Sequence, residues 1–597
     1  MSVMTSRWTI PEPITGDAWR SLHADPVVAD LLWRRGLQDA EAVADFLESA
    51  VHASEDLLVQ AVKLPNFDAA VARGVRAVRQ REKVAVFGDY DADGTTAAAM
   101  LVLFFGQANG LGSVEARLPT RATGYGLCPD DVEALAQYAG PGGLLIVTDT
   151  GSSDYTCIPQ AIARGLEVII LDHHQIGEDG ASGPVGATTV SAYLRPQTTP
   201  RDPLRDLTGA GLTWLYLVAV ADELGDPRLS RMAAGLQDLA MLGTVADVAD
   251  LRRLNRPLVR DGLRAVRKQA RPGLVALCGA AGVEPATLTA HEASRKLAPR
   301  LNAAGRMGDP MLALRLLCSG DMDEATRLAN QLENRNTGRK VAMNQVIEQA
   351  RAALQAGIGQ PGGLAHGVLV AHGTDWHSGV LGPAASRIAE EQGKPVVLLS
   401  DDPAEPGQSR GSARSIAGFD IAKALRSLAC QQVLLRNGGH SAAAGITVRT
   451  ADIPALAAAL EVELDRQIPA ELRATFGHPS ITPDAELPAD RLTIETARTV
   501  SQLGPFGQGN ENPLFYVRNV PLQRRTLMGR DPQRQHLKLI VGLPGMAPAE
   551  VIVWGGGDRL ADATAAQSVD LAIRIGINRW AGQTKLEAIA EDFRLAR

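Results

Sequence analysis

The chain is poor in the residues that staple a fold or anchor it in a bilayer. Cysteine occurs five times in 597 residues (Cys128, Cys157, Cys278, Cys318, Cys430), never as a CxxC pair. That spacing excludes a disulfide scaffold and a zinc-finger module and fits a reducing compartment. No apolar run approaches the roughly 20 residues a membrane-spanning helix needs. The opening MSVMTSRWTI lacks the apolar centre of a signal segment. A cytoplasmic protein with no membrane association is therefore expected. An excess of positive charge is missing too, with 60 Lys and Arg against 67 Asp and Glu and a net charge of -7. A uniformly basic nucleic-acid coat is excluded, but a local basic groove is not, because binding answers to the nearby field. No Walker-type GxxxxGK[ST] and no dinucleotide-binding fingerprint competes with the motifs described below.

What is present is enough apolar matter, 45 % of the residues, for several ordinary cores. Residues 1–60 read as an N-terminal helical segment, with ADLLWRRG and AVADFLESA at helix-like spacing. From Val84 three β-rich apolar runs, VAVF (84–87), LLIV (144–147) and VIIL (168–171), each end in a polar turn, with helical stretches between them. This is the pattern of a parallel sheet covered on both faces, whose chemistry gathers at the carboxyl ends of the strands. We assign residues 61–320 to this catalytic domain and 321–356 to a long connecting helix. A second α/β region (357–450), with strand candidates GVLVA and PVVLL, is interrupted by the Pro/Gly loop 401–411. Residues 451–597 then bring a connecting segment and short alternating strands such as HLKLIV and AEVIVW, a possible small β-barrel. The predicted class is α/β: two α/β lobes joined by a long helix, plus a C-terminal β-barrel.

Asp89, Asp91 and Asp93 sit in GDYDADG directly after the first strand. Alternate residues of an extended stretch point the same way, so Asp91 and Asp93 can converge. Crowded carboxylates resist shared ionisation, and a divalent cation removes that cost. The bland reading is an acidic surface turn; an EF-hand is excluded by the missing ligand series. Asp149 (TDTG) follows the second strand, and Asp172, His173 and His174 follow the third. Alone, Asp149 would read as a helix cap. Asp247, in GTVAD, would read as a solvated helix end. Together they form a carboxylate and imidazole set suited to manganese or magnesium rather than closed structural zinc. Two such ions can activate a water and stabilise both the attacking and the leaving oxygen on phosphorus. Hydrolysis of a phosphoester or phosphoanhydride is thus the leading chemistry.

Further along, RLNAAGRMG contributes Asn302 and Arg306, and residues 291–351 hold 10 Lys and Arg against 7 Asp and Glu. A solvated helical connector explains that charge equally well. WHSGVLGPAASR, GSARS and GGHSAAAG mix glycine, hydroxyls and cations, with Ser386, Arg387, Arg414 and His440 as candidate anion contacts. A helix packing contact for Ser386 and a tight turn into a close-packed helix for GGHSAAAG are the plain alternatives. Residues 501–541 hold 6 Lys and Arg (Arg518, Arg524, Arg525, Arg530, Arg534, Lys538) against 2 Asp and Glu, near Phe506, Phe515 and Tyr516. Basic strands with aromatics suit single-stranded nucleic acid, unless the aromatics are simply core.

The ordered motifs GDYDADG (88–94), TDTG (148–151), DHH (172–174) and GTVAD (243–247) resemble those of the DHH phosphoesterases. The second lobe resembles that family's associated C-terminal domain. LAPRLNAAGRMG (297–308) and LGPFGQGNENPLF (503–515) narrow the resemblance to the family's RecJ-type, single-strand-specific exonucleases. The resemblance implies 5′→3′ hydrolysis of single-stranded DNA to 5′-mononucleotides with two Mn²⁺ or Mg²⁺ per site, in recombination and repair. It implies Asp91, Asp93, Asp149, His173 and Asp247 as core metal ligands, with Asp89 and His174 as direct or supporting members. It places Asn302 and Arg306 near the scissile phosphate, and Ser386, Arg387, Arg414 and His440 on DNA-contacting loops. It suggests a channel between the lobes and an oligonucleotide-binding barrel at the C-terminus; the basic strands themselves offer Arg518, Arg524, Arg525 and Lys538 as strand contacts. A monomer is expected, with a single-strand-binding protein and a repair helicase as further partners. One departure is Thr150, where the family's second motif usually carries Cys. The alternatives are a phosphodiesterase acting on short oligonucleotides or cyclic dinucleotides, and a non-catalytic DNA-binding replication scaffold.

Overall fold

The computed structural model describes residues 7–48, 63–110, 112–120, 124, 126–174, 183–191, 203–430, 432–469, 473, 480–529, 535–543, 545–580 and 583–596. Arg530, Arg534 and the last part of the N-terminal segment lie outside the described residues. The chain divides into two compact units, one formed by Trp8–Glu333 with Thr482–Arg597 and the other chiefly by Asn334–Ile481.

In the first unit the three apolar runs form strands Val84–Gly88, Leu144–Thr148 and Glu167–Leu171. With Val114–Arg117 and Thr188–Val190 they make a five-stranded sheet, parallel throughout. The runs are continuous rather than alternating because both faces are covered. Val84, Val86, Leu144 and Ile146 meet Phe104, Phe105, Trp214 and Tyr216 on one side. Ala85, Phe87, Leu145 and Val147 meet Val132, Leu135, Ile158 and Ala161 on the other. The spatial order sets Val84–Gly88 between Val114–Arg117 and Leu144–Thr148. The chain therefore leaves the first strand to one side and returns to the other. Such a reversal opens a crevice at the carboxyl ends of those two strands, where α/β sheets bind ligands.

The C-terminal strands close into a barrel. Leu514–Met528 pairs with His536–Val541 through its second half and with Ser568–Trp580 through its first. Ala549–Val553 and Gln583–Leu595 complete the ring. The N-terminal helices Pro26–Arg34 and Ala40–Glu48 do not stand as a separate segment. Val27, Val28, Leu31 and Leu32 share the barrel's core with Leu487, Val500 and Phe515. A short amphipathic helix cannot bury its own apolar face, and here the cover comes from the far end of the chain.

Helix Met322–Ala356 runs for 35 residues. Its early residues Ala325, Leu328 and Leu332 belong to the core of the catalytic sheet. Its later residues Val346, Ile347, Ala350 and Leu354 pack in the second unit. There a mixed five-stranded sheet runs in the order Arg436–His440, Ala443–Arg449, Gln408–Arg414, Val396–Asp401, Leu369–Gly373. Of the expected loop 401–411 only residues 402–407 connect a hairpin, Gln408–Gly411 being paired strand, and GGHSAAAG is a second hairpin rather than a turn into a helix. The lobe does not end at residue 450. Helix Ile453–Gln467 lays Leu456, Leu460 and Leu464 on the face carrying Val397, Leu399 and Val448. Among the described residues no helix is long and apolar enough to cross a membrane.

Candidate metal centre

The crevice at the strand reversal is where the acidic motifs meet. Asp91 caps helix Ala92–Asn109, its Oδ1 accepting from the Asp93 and Gly94 amides at 2.9 and 3.1 Å. Asn302 accepts the Ala92 amide at 2.7 Å, so it seats the start of the same helix. Gly305 permits that approach, since a Cβ there would lie 2.6 Å from the Tyr90 carbonyl. Asp93 projects onto the start of helix Gly209–Leu224, accepting from Gly209 and Ala210 at 2.8 and 3.0 Å. Backbone donors at a helix start fix the orientation of a carboxylate.

Asp149 adopts a left-handed backbone with φ 60°. Its tight seat requires Gly209, where a Cβ would come within 2.5 Å of the Asp149 Cβ. Asp247 closes helix Gln237–Ala246, and Val248 after it is also left-handed at φ 57°. A carboxylate at a helix carboxyl end is electrostatically misplaced unless a cation faces it. His173 Nε2 lies 3.1 Å from Asp149 Oδ1, 3.8 Å from Asp93 Oδ2 and 3.9 Å from Asp247 Oδ2. His174 is oriented by Asp172, with Nδ1 to Oδ1 at 2.8 Å, and Asp172 Oδ2 accepts the Ser152 amide at 3.0 Å.

Three ligand sets emerge, each with its atoms within 4.8 Å of one another: Asp89, Asp91, Asp149; Asp93, His173, Asp247; and Asp149, His173, His174. Asp149 and His173 each belong to two sets. Burial, and then the charge of Asp91, push Asp89 up to about 8. Desolvation within the crevice, with Asp93 and Asp91 next, does the same to Asp247, also to about 8, although its side chain keeps an edge open to solvent. Burial with Asp93 raises Asp149, and burial lowers His173. Burial opposes the charged pair at His174 and Asp172, yet their mutual bond wins: His174 rises to about 9 and Asp172 falls. The buried Oδ1 of Asp89 accepts no hydrogen bond. Asp149 Oδ1 is likewise buried without a donor, and carboxylate oxygens of this kind beside imidazole fit oxygen-seeking dications.

Three domain models cover the chain in order: the DHH family N-terminal domain at residues 83–244, the DHHA1 domain at 365–465 and the RecJ OB domain at 483–592. The single-stranded-DNA-specific exonuclease RecJ of Escherichia coli strain K12 is 32 % identical over 89 % of this chain and 90 % of its own length. The chain belongs to the RecJ family. The Mn²⁺ complex of RecJ from Thermus thermophilus superposes with a TM-score of 0.77 at 29 % identity, covering 99 % of this chain and 80 % of that one. The Mg²⁺ complex of the same protein gives 0.72 at 28 % identity, over 99 % and 79 % of the two chains. The ligand sets above are therefore those of a family whose members have been crystallised with Mn²⁺ and with Mg²⁺.

The remaining candidates lie elsewhere. Arg306 ends helix Ala298–Arg306, the helix that seats the metal loop. In the second unit Arg414 Nε meets Ser386 Oγ at 3.0 Å, and Arg387 pairs with Glu391 at 2.7 Å. His440 is exposed at its hairpin. On the barrel Arg524 is exposed, Arg518 faces Glu486 at 3.3 Å, and Lys538 faces Glu550 at 3.0 Å. Arg525 holds the end of a helix, donating to the Ala563 and Ala566 carbonyls at 3.0 and 2.6 Å, so its side chain has a structural partner. The expected aromatic platform also changes. Phe515 and Tyr516 are core, and the Tyr516 hydroxyl donates to Asp570 at 2.8 Å. Barrel strands alternate inward and outward, and charge density alone does not reveal which register a ring occupies. Sequence reasoning passed over two supports of the centre, the Gly209–Ala210 amides and Gly243. Their signal was the small-residue start TGAG (208–211) and the glycine of GTVAD itself.

Proposed function

We propose that the chain is a 5′→3′ exonuclease that hydrolyses single-stranded DNA to 5′-mononucleotides in recombination and repair. The observation that carries this is the meeting of three overlapping ligand sets at the strand reversal, with a buried Asp89 oxygen left without a donor. Asp89, Asp91, Asp93, Asp149, His173 and Asp247, with His174 beside them, would hold two Mn²⁺ or Mg²⁺. Such ions supply an activated water and positive charge for the phosphorus centre. The chain's own residues do the rest. The amides of Gly209 and Ala210 hold the Asp93 carboxylate in place, and Asp172 fixes the His174 ring. Arg306 steadies the scissile phosphate, with Asn302 holding the loop beneath it. Ser386, Arg387, Arg414 and His440 contact the strand from the second unit. Arg518, Arg524 and Lys538 contact it from the barrel. Five free cysteines accord with a cytoplasmic setting. The reading extends to a monomer working beside a single-strand-binding protein and a repair helicase.

The test uses single-stranded DNA labelled at its 5′ end, with Mn²⁺ or Mg²⁺. Labelled mononucleotide should appear first, and a blunt duplex should resist. Release from the 3′ end, or equal degradation of the duplex, would overturn the reading.

A further inference from the structure

The segment LGPFGQGN, which set this chain's resemblance apart within its family, lies far in sequence from the metal ligands and yet touches the turn that carries one of them. After Asp247 the chain passes through the left-handed Val248 and reaches Leu251, which is buried. The Leu251 amide donates to the Gln508 carbonyl at 2.7 Å. The two glycines that flank Gln508 press on the same turn. A Cβ on Gly507 would lie 2.6 Å from Leu251 Cδ1, and one on Gly509 would lie 2.4 Å from Asp250 Oδ1. Gly509 also has φ +73°, a conformation that disfavours any side chain.

The loop is itself held rigid. The buried Asn510 donates to the Leu503 and Pro505 carbonyls at 3.0 and 2.8 Å, and its backbone exchanges two bonds with Gly507. Arg35, from the N-terminal helices, donates to Asn510 Oδ1 at 2.5 Å and to the Glu511 carbonyl at 2.8 Å. From the other side Asn255 holds the Asp250 carbonyl at 3.0 Å, and the buried Arg256 donates to the Leu503 carbonyl at 2.9 Å. Asp247 has need of such a frame. Its side chain is 37 % exposed and lies 3.9 Å from His173 Nε2, too far for a hydrogen bond. Asp93, by contrast, is gripped by two amides.

We propose that the loop Leu503–Asn510 is a positioning element for Asp247, with Gly509 its key residue. It fixes the turn that aims this carboxylate, so that the ion held by Asp93, His173 and Asp247 depends on the C-terminal barrel being seated. The inference rests on the function proposed above, but its readout is separate.

The experiment titrates Mn²⁺ into the full chain by calorimetry, alongside strand binding without metal and steady-state hydrolysis. In Gly509→Ala, one class of Mn²⁺ sites should weaken by about tenfold, the size of a supporting-residue effect on a metal site. The other class and the metal-free strand affinity should stay within about twofold, and kcat should fall while KM holds. Arg35→Met loosens the loop from the far side and should give the same pattern at about threefold, with Arg35→Lys restoring it. If Gly509→Ala does not fold, the Arg35 pair decides alone. Unchanged Mn²⁺ binding in the variants that fold would overturn the proposal. So would equal loss of both metal classes together with strand binding. A wild type that binds Mn²⁺ in two classes yet releases no nucleotide would sink the exonuclease reading and leave the positioning role standing.

Discussion

At the residue scale the centre works by placing charge where protein alone cannot neutralise it. Asp149 belongs to two ligand sets and is held in a left-handed conformation that few aspartates adopt. Asp149→Ala should therefore lower hydrolysis by at least about a thousandfold, because both sets lose a ligand. Strand binding measured by anisotropy should stay within about twofold, since phosphate contacts supply most of that affinity. Protonation gives a second test. Asp89 and Asp247 are pushed up to about 8 by burial and like charge, so without metal they carry protons at pH 7. Mn²⁺ needs the carboxylates, so its binding should expel protons at pH 7. Its apparent affinity should fall as pH drops from 8 to 6. Calorimetry in buffers of different ionisation enthalpy reads the proton count directly, and a count of zero would contradict the crowding argument.

At the element scale small residues decide whether the helices can close on the centre. A Cβ on Gly243 would lie 2.5 Å from Thr96 Oγ1 and 2.6 Å from Asp93 Oδ1. Gly106 sits in the helix that begins at the metal loop, and no atom lies within 4 Å of its Cβ position. Gly243→Ala should thus destabilise the fold by about 1–3 kcal/mol and impair metal binding. Gly106→Ala should stabilise by roughly 0.5–1 kcal/mol through helix propensity, with the metal sites untouched. Denaturant melts of the two variants, side by side, separate crowding at the centre from a general intolerance of alanine. Strand identity is legible in the residues alone, because covered parallel strands write themselves as continuous runs such as VAVF and LLIV. The roles of Phe515 and Arg525 are not, since a strand's register and a helix end's partner are set by the rest of the fold.

At the scale of the whole molecule the chain carries two compact units, and every ligand of the centre belongs to one of them. Adding Mn²⁺ at about 100 times its Kd should stabilise that unit by about 2.7 kcal/mol through mass action. Removing it with a chelator should reverse the shift. Calorimetric melting should show the metal moving only the transition of the unit that bears Asp89–Asp93 and the barrel, leaving that of residues 334–481 in place. A uniform shift of all transitions would mean the units unfold as one.

The parallel sheet, the long helix Met322–Ala356 and the candidate metal-ligating carboxylates can all be read from residue order alone. Apolar periodicity and clustered carboxylates are local, and cost too much to keep without a purpose. Where those side chains meet, and what holds them, depends on packing between distant segments. The spatial order of the strands sets the crevice between Val84–Gly88 and Leu144–Thr148. The amides of Gly209 and Ala210 and the loop at Gln508 come from distant segments, brought near by packing that no local pattern records. Close approach of backbones is a property of pairs of surfaces, and a chain read one residue at a time contains each surface without its partner.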